Sequence, residues 1–125
     1  MSGPSATPQT YLYRNESIWS RSERGIARRI FDAALKRELH QVMQETKQKA
    51  SRIKEARDLW ALERHLTDRR KDIDRKYDFR VSRLTRVFGT LLYEGRVTEE
   101  ELHGLHEDKI EAIRSCVKVL SEDAA

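Results

Sequence analysis

The chain has only two prolines, and both, Pro4 and Pro8, fall in its first ten residues. Proline removes a backbone donor and clashes with the preceding helical turn, so nothing after Pro8 forbids long helices. A single cysteine, Cys116, excludes an internal disulfide and fits a reducing compartment. No apolar run approaches the ~20 residues that span a bilayer, and the N-terminus lacks the apolar core of a secretion signal. The expectation is a soluble, cytoplasmic protein. No glycine-rich phosphate loop is present, and no stretch alternates apolar and polar residues as a half-buried strand would. A one-sided charge is also missing. Lys plus Arg outnumber Asp plus Glu by only 25 to 21, and acids interrupt the basic clusters Arg28-Arg29 and Arg69-Arg70-Lys71. A nucleic-acid-binding role therefore ranks last among the functional classes.

What the chain does have is charge of both signs, 37% of its residues, carried by strong helix formers. Its 125 residues suit one domain. Residues 1–18 read as a flexible N-terminal segment, 19–121 as a helical domain and 122–125 as a tail. Ser20 and Glu23 form a capping box, each side chain satisfying a free N–H of the other's backbone. The helix they open carries an apolar stripe of Ile26, Ile30, Ala33, Ala34, Leu39, Val42, Met43, Ala50 and Ile53. A break is expected around Lys54 to Asp58, with Asp58 capping a second helix from Leu59; since no Gly or Pro marks the break, one unbroken helix is the alternative. That helix runs past Tyr77 through Val81, Leu84, Val87, Phe88, Leu91 and Leu92. It ends at Gly95, a natural residue for the left-handed position after a helix. Thr98 and Glu101, another capping box, open a third helix with Leu102, Leu105, Ile110, Ile113, Val117 and Leu120 on one face. The fold class is all-α, with about three long amphipathic antiparallel helices.

Length then implies assembly. A second helix of about 35 residues spans roughly 50 Å at ~1.5 Å per residue, whereas a compact globule of this size is about 30 Å across. The surplus apolar stripe needs cover, and a second copy related by a two-fold axis supplies it. The expectation is an elongated helical homodimer. Within the second helix, Leu59, Leu62, Leu66, Ile73 and Tyr77 form the stripe, and the gap before Ile73 falls at Arg69 or Arg70. A guanidinium in an apolar seam needs a carboxylate facing it.

Candidate chemistry is sparse. His103 and His106 sit three apart with Glu99, Glu100 and Glu107 nearby, and Glu100-x-x-His103 is half of a di-iron carboxylate pattern whose second half is missing. No set of nucleophile, base and oxyanion donors is visible. No catalytic residue, metal ligand or cofactor is assigned.

The segment Leu59-Trp60-Ala61-Leu62, then Leu66, Arg70, Ile73-Asp74, Lys76-Tyr77-Asp78 and Arg80, resembles the signature of the fluorescence recovery protein family of cyanobacteria. Trp19-Ser20, Glu23, Phe31-Asp32-Ala33-Ala34, Arg37-Glu38-Leu39, Leu91-Leu92, Glu94-Gly95, Glu100-Glu101-Leu102 and Asp108-Lys109 extend the likeness over residues 19 to about 114. The resemblance implies a non-catalytic, all-helical homodimer that binds the orange carotenoid protein through that partner's C-terminal domain. It speeds the partner's return from the red to the orange form and so ends phycobilisome quenching. By position, Leu59 and Trp60 are then dimer-interface residues, and Arg70 belongs to a dimer and partner-binding cluster. The chain departs from the pattern in three places. Glu63-Arg64 stands where a His-Asp pair is expected, Arg86 at an aromatic partner contact, and Ala112 at a late lysine. These changes reverse charge or remove bulk at contact positions, so a same-fold dimer from outside cyanobacteria with another partner is the second reading. The dimer-interface candidates are Leu59, Trp60, Leu62, Glu63 and Arg70; the partner-binding candidates are Trp60, Arg64, Arg70 and Arg86. Glu63 of one copy is expected to face Arg70 of the other, the rival being an intrachain Arg70–Asp74 pair.

Overall fold

A computed structural model describes residues 19–124. These residues form four α-helices and two short 3-10 turns, with no strand among them. Helix α1 covers Arg21–Ser51, α2 Ala56–Lys76, α3 Leu84–Tyr93 and α4 Glu107–Ala124; the 3-10 turns are Val81–Arg83 and Glu100–Gly104. The all-α expectation holds, and the count of about three helices becomes four.

Local signals placed several boundaries. Ser20 Oγ accepts from the Glu23 N–H at 3.0 Å, and the Glu23 carboxylate accepts from the Ser20 N–H at 3.3 Å, the reciprocal cap that starts α1. The chain leaves the helix at Arg52, and α2 begins at Ala56, three residues before the expected Leu59. Asp58 serves from inside the first turn, accepting from the Lys54 and Glu55 N–H groups at 3.0 and 3.1 Å. So short a connection makes α1 and α2 an antiparallel pair. Gly95 takes the left-handed conformation, φ 76°, after α3. Thr98 and Glu101 also exchange their capping bonds, but they introduce a 3-10 turn, and α4 starts only at Glu107.

The main correction is to the second helix, which does not run from Leu59 to Leu92. It stops at Lys76, and Tyr77–Arg80 forms a non-helical link. No proline or glycine causes this; Phe31 on α1 does. The Tyr77 and Phe79 rings both meet Phe31 edge-on, at centroid distances of 5.3 and 5.1 Å. Residues two apart in a helix point ~200° from each other and cannot both reach one ring, whereas extended backbone puts them on one side. The Arg28 guanidinium lies 4.8 Å from the Phe79 ring centre and fixes the outer ring of the cluster.

This break divides the molecule into a head and an arm. The head core joins Trp19, Ala27, Ile30, Phe31 and Ala34 to Leu84, Val87, Phe88 and Leu91 of α3, to Val97, Leu102 and Leu105, and to Ile110 and Ile113 of α4. Helices α3 and α4 pack closely because Gly89 has no side chain; a Cβ there would lie 2.5 Å from Cys116 Sγ. The arm is α2 with the C-terminal half of α1. Helix α2 contributes no buried residue. Its half-buried residues, Asp58, Leu62, His65, Arg69, Asp72, Ile73 and Lys76, recur at helical spacing and are mostly polar. Its apolar Leu59, Trp60 and Leu66 are exposed. The single stripe read from the sequence is therefore split, with the polar edge against α1 and most of the apolar edge turned outward.

Candidate functional site

The arm meets the head at a buried charge cluster built on Glu38 of α1, which is fully buried. Its carboxylate accepts from Lys76 Nζ and from the Tyr77 hydroxyl, each at 2.8 Å, and pairs with Arg96 Nε at 3.0 Å and Arg69 Nη2 at 3.2 Å. Lys76 also donates to Glu94 at 2.8 Å, and Arg69 reaches Glu45 at 3.3 Å. These Arg69 contacts are ion pairs by distance without hydrogen-bond alignment at Nε and Nη2. Burial alone would push the Glu38 carboxyl up. The hydrogen bonds from Lys76 and Tyr77 and the charges of Lys76 and Arg96 outweigh it and hold the group below the usual carboxylate range. Burial likewise works to lower Lys76, but Glu38 and Glu94 hold it above the ordinary lysine range. Burial and the Glu38 carboxylate together push Tyr77 strongly upward. The cluster is thus a fixed ionic joint, aided by Arg37, which grips Glu101 with two bonds of 2.9 and 2.7 Å and donates to the Arg96 carbonyl at 2.8 Å.

The guanidinium in the seam of α2 is therefore Arg69, and its acids come from α1 of the same chain. Arg70 is exposed on the rim of a shallow apolar groove of about 310 Å³ lined by Leu39, Val42, Leu66 and Ile73, with Asp74 beside it. Arg70 and Asp74 make no ion pair, and neither Glu63 nor Arg64 has an ionic partner among the described residues; both are exposed. Leu39 and Leu66 of the groove are exposed, as are Met43, Leu59 and Trp60 elsewhere on the arm, the last 60% exposed. Leu62 is half-buried against α1. Leu59, Trp60, Glu63, Arg64 and Arg70 are thus all exposed residues of the arm, and Leu62 is half-buried.

Arg86 lies far along the chain from that face, in a cleft on the head. The cleft, about 600 Å³, is lined by α2's C-terminal residues, Asp78 and Arg80 of the link, Arg83 of the 3-10 turn, α3 with Glu94, and Leu120 of α4. Arg86 is close enough to Cys116 to draw its thiol down, but burial is the larger effect and pushes it up. Glu100 and His103 fall in the second 3-10 turn, and His106 Nδ1 lies 3.3 Å from Glu23 of the α1 cap. Among the described residues no three His, Cys, Asp or Glu side chains converge as a metal site, and no helix is long and apolar enough to cross a membrane.

A family model described as "Photoprotection regulator fluorescence recovery protein" matches residues 19–120. The chain belongs to the fluorescence recovery protein family. The fluorescence recovery protein of Synechocystis sp. PCC 6803 is 38% identical over 108 residues, which cover 86% of this chain and 99% of that one. The solved structures of the Fremyella diplosiphon and Synechocystis sp. PCC 6803 fluorescence recovery proteins each superpose with a TM-score of 0.77, at 37% and 39% identity. Each match covers 80% of this chain and 98% of the other. Membership places the chain among regulators of photoprotection.

Sequence reasoning missed two acids that organise the molecule. Glu23 was legible as a cap but not as a buried acid that also accepts from the His106 N–H at 3.0 Å and faces buried Lys109 at 3.4 Å. Glu38 was legible only as part of the family pattern. Its one local sign is its position on the buried face of α1, four residues beyond Ala34 and eight beyond Ile30.

Proposed function

We propose that the chain is a homodimeric, non-catalytic regulator that binds the orange carotenoid protein and speeds its red-to-orange reversion, ending phycobilisome quenching. The observation that carries this reading is the uncovered apolar face of the arm in a chain of this family. Leu39, Met43, Leu59, Trp60 and Leu66 are each roughly half exposed. Covering them in two copies recovers on the order of 10 kcal/mol at ~1.5–3 kcal/mol for a fully buried apolar side chain. That falls within the ~4–15 kcal/mol that association costs, and the groove by Val42 and Ile73 adds to it. Two-fold symmetry lets one face cover its twin. Glu63 of one copy then lies opposite Arg70 of the other, two pairs per dimer. Leu59, Trp60, Leu62, Glu63 and Arg70 form the dimer interface, and Trp60, Arg64, Arg70 and Arg86 contribute to partner binding.

A second reading, a dimer of the same fold with another partner, is favoured by Arg86, which puts a charge where the family resemblance leads one to expect an aromatic ring. Recovery of the orange form after illumination, timed with and without this chain, separates the two. Acceleration supports the carotenoid-protein reading. No acceleration at any ratio, from a chain that light scattering shows to be dimeric, leaves the second.

A further inference from the structure

The cleft on the head carries more charge than its own acids match. Arg75, Lys76, Arg80, Arg83 and Arg86 line it against Asp72, Asp78 and Glu94. Each of those acids is already engaged: Asp72 by Arg75 at 2.6 Å, Asp78 by Arg80 at 2.8 Å, and Glu94 by Lys76 and Arg96 at 2.8 and 2.9 Å. Arg83 and Arg86 make no ion pair among the described residues, although the Arg83 charge acts on Asp78, and both are exposed.

A second observation concerns the same two arginines. Arg83 is the N-cap of α3 and Arg86 lies in its first turn; that turn holds no acid and its cap makes no side-chain hydrogen bond. A helix N-terminus carries partial positive charge and favours carboxylates. Two arginines there oppose the helix rather than complete it, whereas α1 opens with Glu23 and α4 with Glu107 and Asp108. A local rule broken without an internal compensation marks a functional surface. Val87 and Thr90 of α3 and Leu120 of α4 complete the lining.

We propose that this cleft seats an acidic segment of the partner protein. Two of the segment's carboxylates pair with Arg83 and Arg86 at the start of α3, and an apolar side chain between them lies along Val87 and Leu120. Guanidinium forks take carboxylates in two-bond geometry, and the α3 N-terminus adds to the attraction. This rests on the reading of the chain as a partner-binding regulator. It adds that recognition on the head of this chain is ionic, through Arg86 and Arg83 together.

The test measures fluorescence anisotropy of a labelled peptide of alternating glutamate and leucine, with a glutamine–leucine peptide and inorganic phosphate as the other probes. The expected result is binding of the glutamate peptide that weakens with added salt, and by about tenfold or more in R83Q/R86Q, since two charge-assisted contacts are lost. The control R29Q/R52Q removes the same net charge elsewhere and leaves binding intact. Because Arg83 and Arg86 are exposed, circular dichroism of R83Q/R86Q matches wild type. Equal binding of the glutamine peptide, equal weakening in the control, or binding of phosphate but not peptide overturns the proposal. The carotenoid protein's C-terminal domain is assayed separately. If it binds equally well to wild type and R83Q/R86Q, the cleft proposal fails while the regulator reading stands. If the glutamate peptide binds through the arginines but the carotenoid domain does not, the cleft stands and the choice of partner falls.

Discussion

Replacing Glu38 by glutamine keeps the shape of the side chain and removes its charge. In the folded protein Glu38 is fully buried and faces Lys76, Arg96, Arg69 and the Tyr77 hydroxyl within 3.2 Å. The lysine side chain is itself only 5% exposed. Breaking a buried ion pair from one side costs ~3–5 kcal/mol, because the partner charge stays buried and uncompensated. Glu94 and Asp72 still reach Lys76, at 2.8 and 3.4 Å, which favours the lower end, about 3 kcal/mol. With an unfolding entropy of ~2.1 cal/mol/K per residue over a domain of about 100 residues, that loss lowers the melting temperature by roughly 15 °C. Were the cluster equivalent to a surface ion pair, the loss would stay below ~1 kcal/mol and the shift below about 5 °C. Thermal melts by circular dichroism at one fixed protein concentration separate the two, the concentration being held because assembly shifts apparent stability. The double variant E38L/K76M removes Glu38 together with its closest cation and should recover part of the loss, because Arg96 and Arg69 keep Glu94 and Glu45 as partners. A Glu38→Gln melt within 5 °C of wild type, or a double variant no better than the single, refutes the reading of the joint.

Leu59→Glu sets a charge in the exposed arm face and should convert dimers to monomers in light scattering; a wild-type chain that is monomeric at micromolar concentration removes the assembly reading altogether. In a double-mutant cycle on dimer dissociation, Glu63→Gln and Arg70→Gln should show a coupling above ~1 kcal/mol, more than exposed pairs usually give; zero coupling rules out the cross-chain pair. Gly89→Ala places a methyl group 2.5 Å from Cys116 Sγ and should cost ~1–3 kcal/mol by overpacking the α3–α4 contact, so an unchanged melt would count against that packing. For pH, Glu23, Glu38, Glu45 and Asp72 all have folded pKa values below their unfolded ones. Their stabilisation is present above the unfolded carboxylate range and is lost as pH falls through the lower folded values. Lys76 and Tyr77 are raised, so their contribution is full below the unfolded values of 10.5 and 10.0 and is lost as pH rises through the higher folded ones. Stability measured by denaturant titration should therefore form a plateau around neutrality that declines on both flanks, and a maximum in the acid range would contradict it.

The features legible in the sequence were those with short-range causes. The Ser20–Glu23 and Thr98–Glu101 boxes need only four residues each, and both exchange their bonds as read. The left-handed Gly95 is equally local, and the break expected around Lys54 to Asp58 falls slightly earlier, at Arg52 to Glu55. Helical periodicity gave the all-α class, and the residues around Trp60 carried the family. The same periodicity misled at Tyr77–Arg80, where apolar residues continue at helical spacing while the backbone does not.

By itself the sequence determined that the chain is helical, where α1 begins and α3 ends, and which family it resembles, because caps, turns and periodicity act between residues a few positions apart. Only the tertiary structure decided the end of α2, the choice of Arg69 over Arg70 for the seam, and the outward turn of Leu59, Trp60 and Leu66. Those outcomes hang on Phe31 and Glu38, separated from their partners by roughly thirty to sixty residues, and a packed ring or a buried carboxylate acts only once the fold has brought its partners to it.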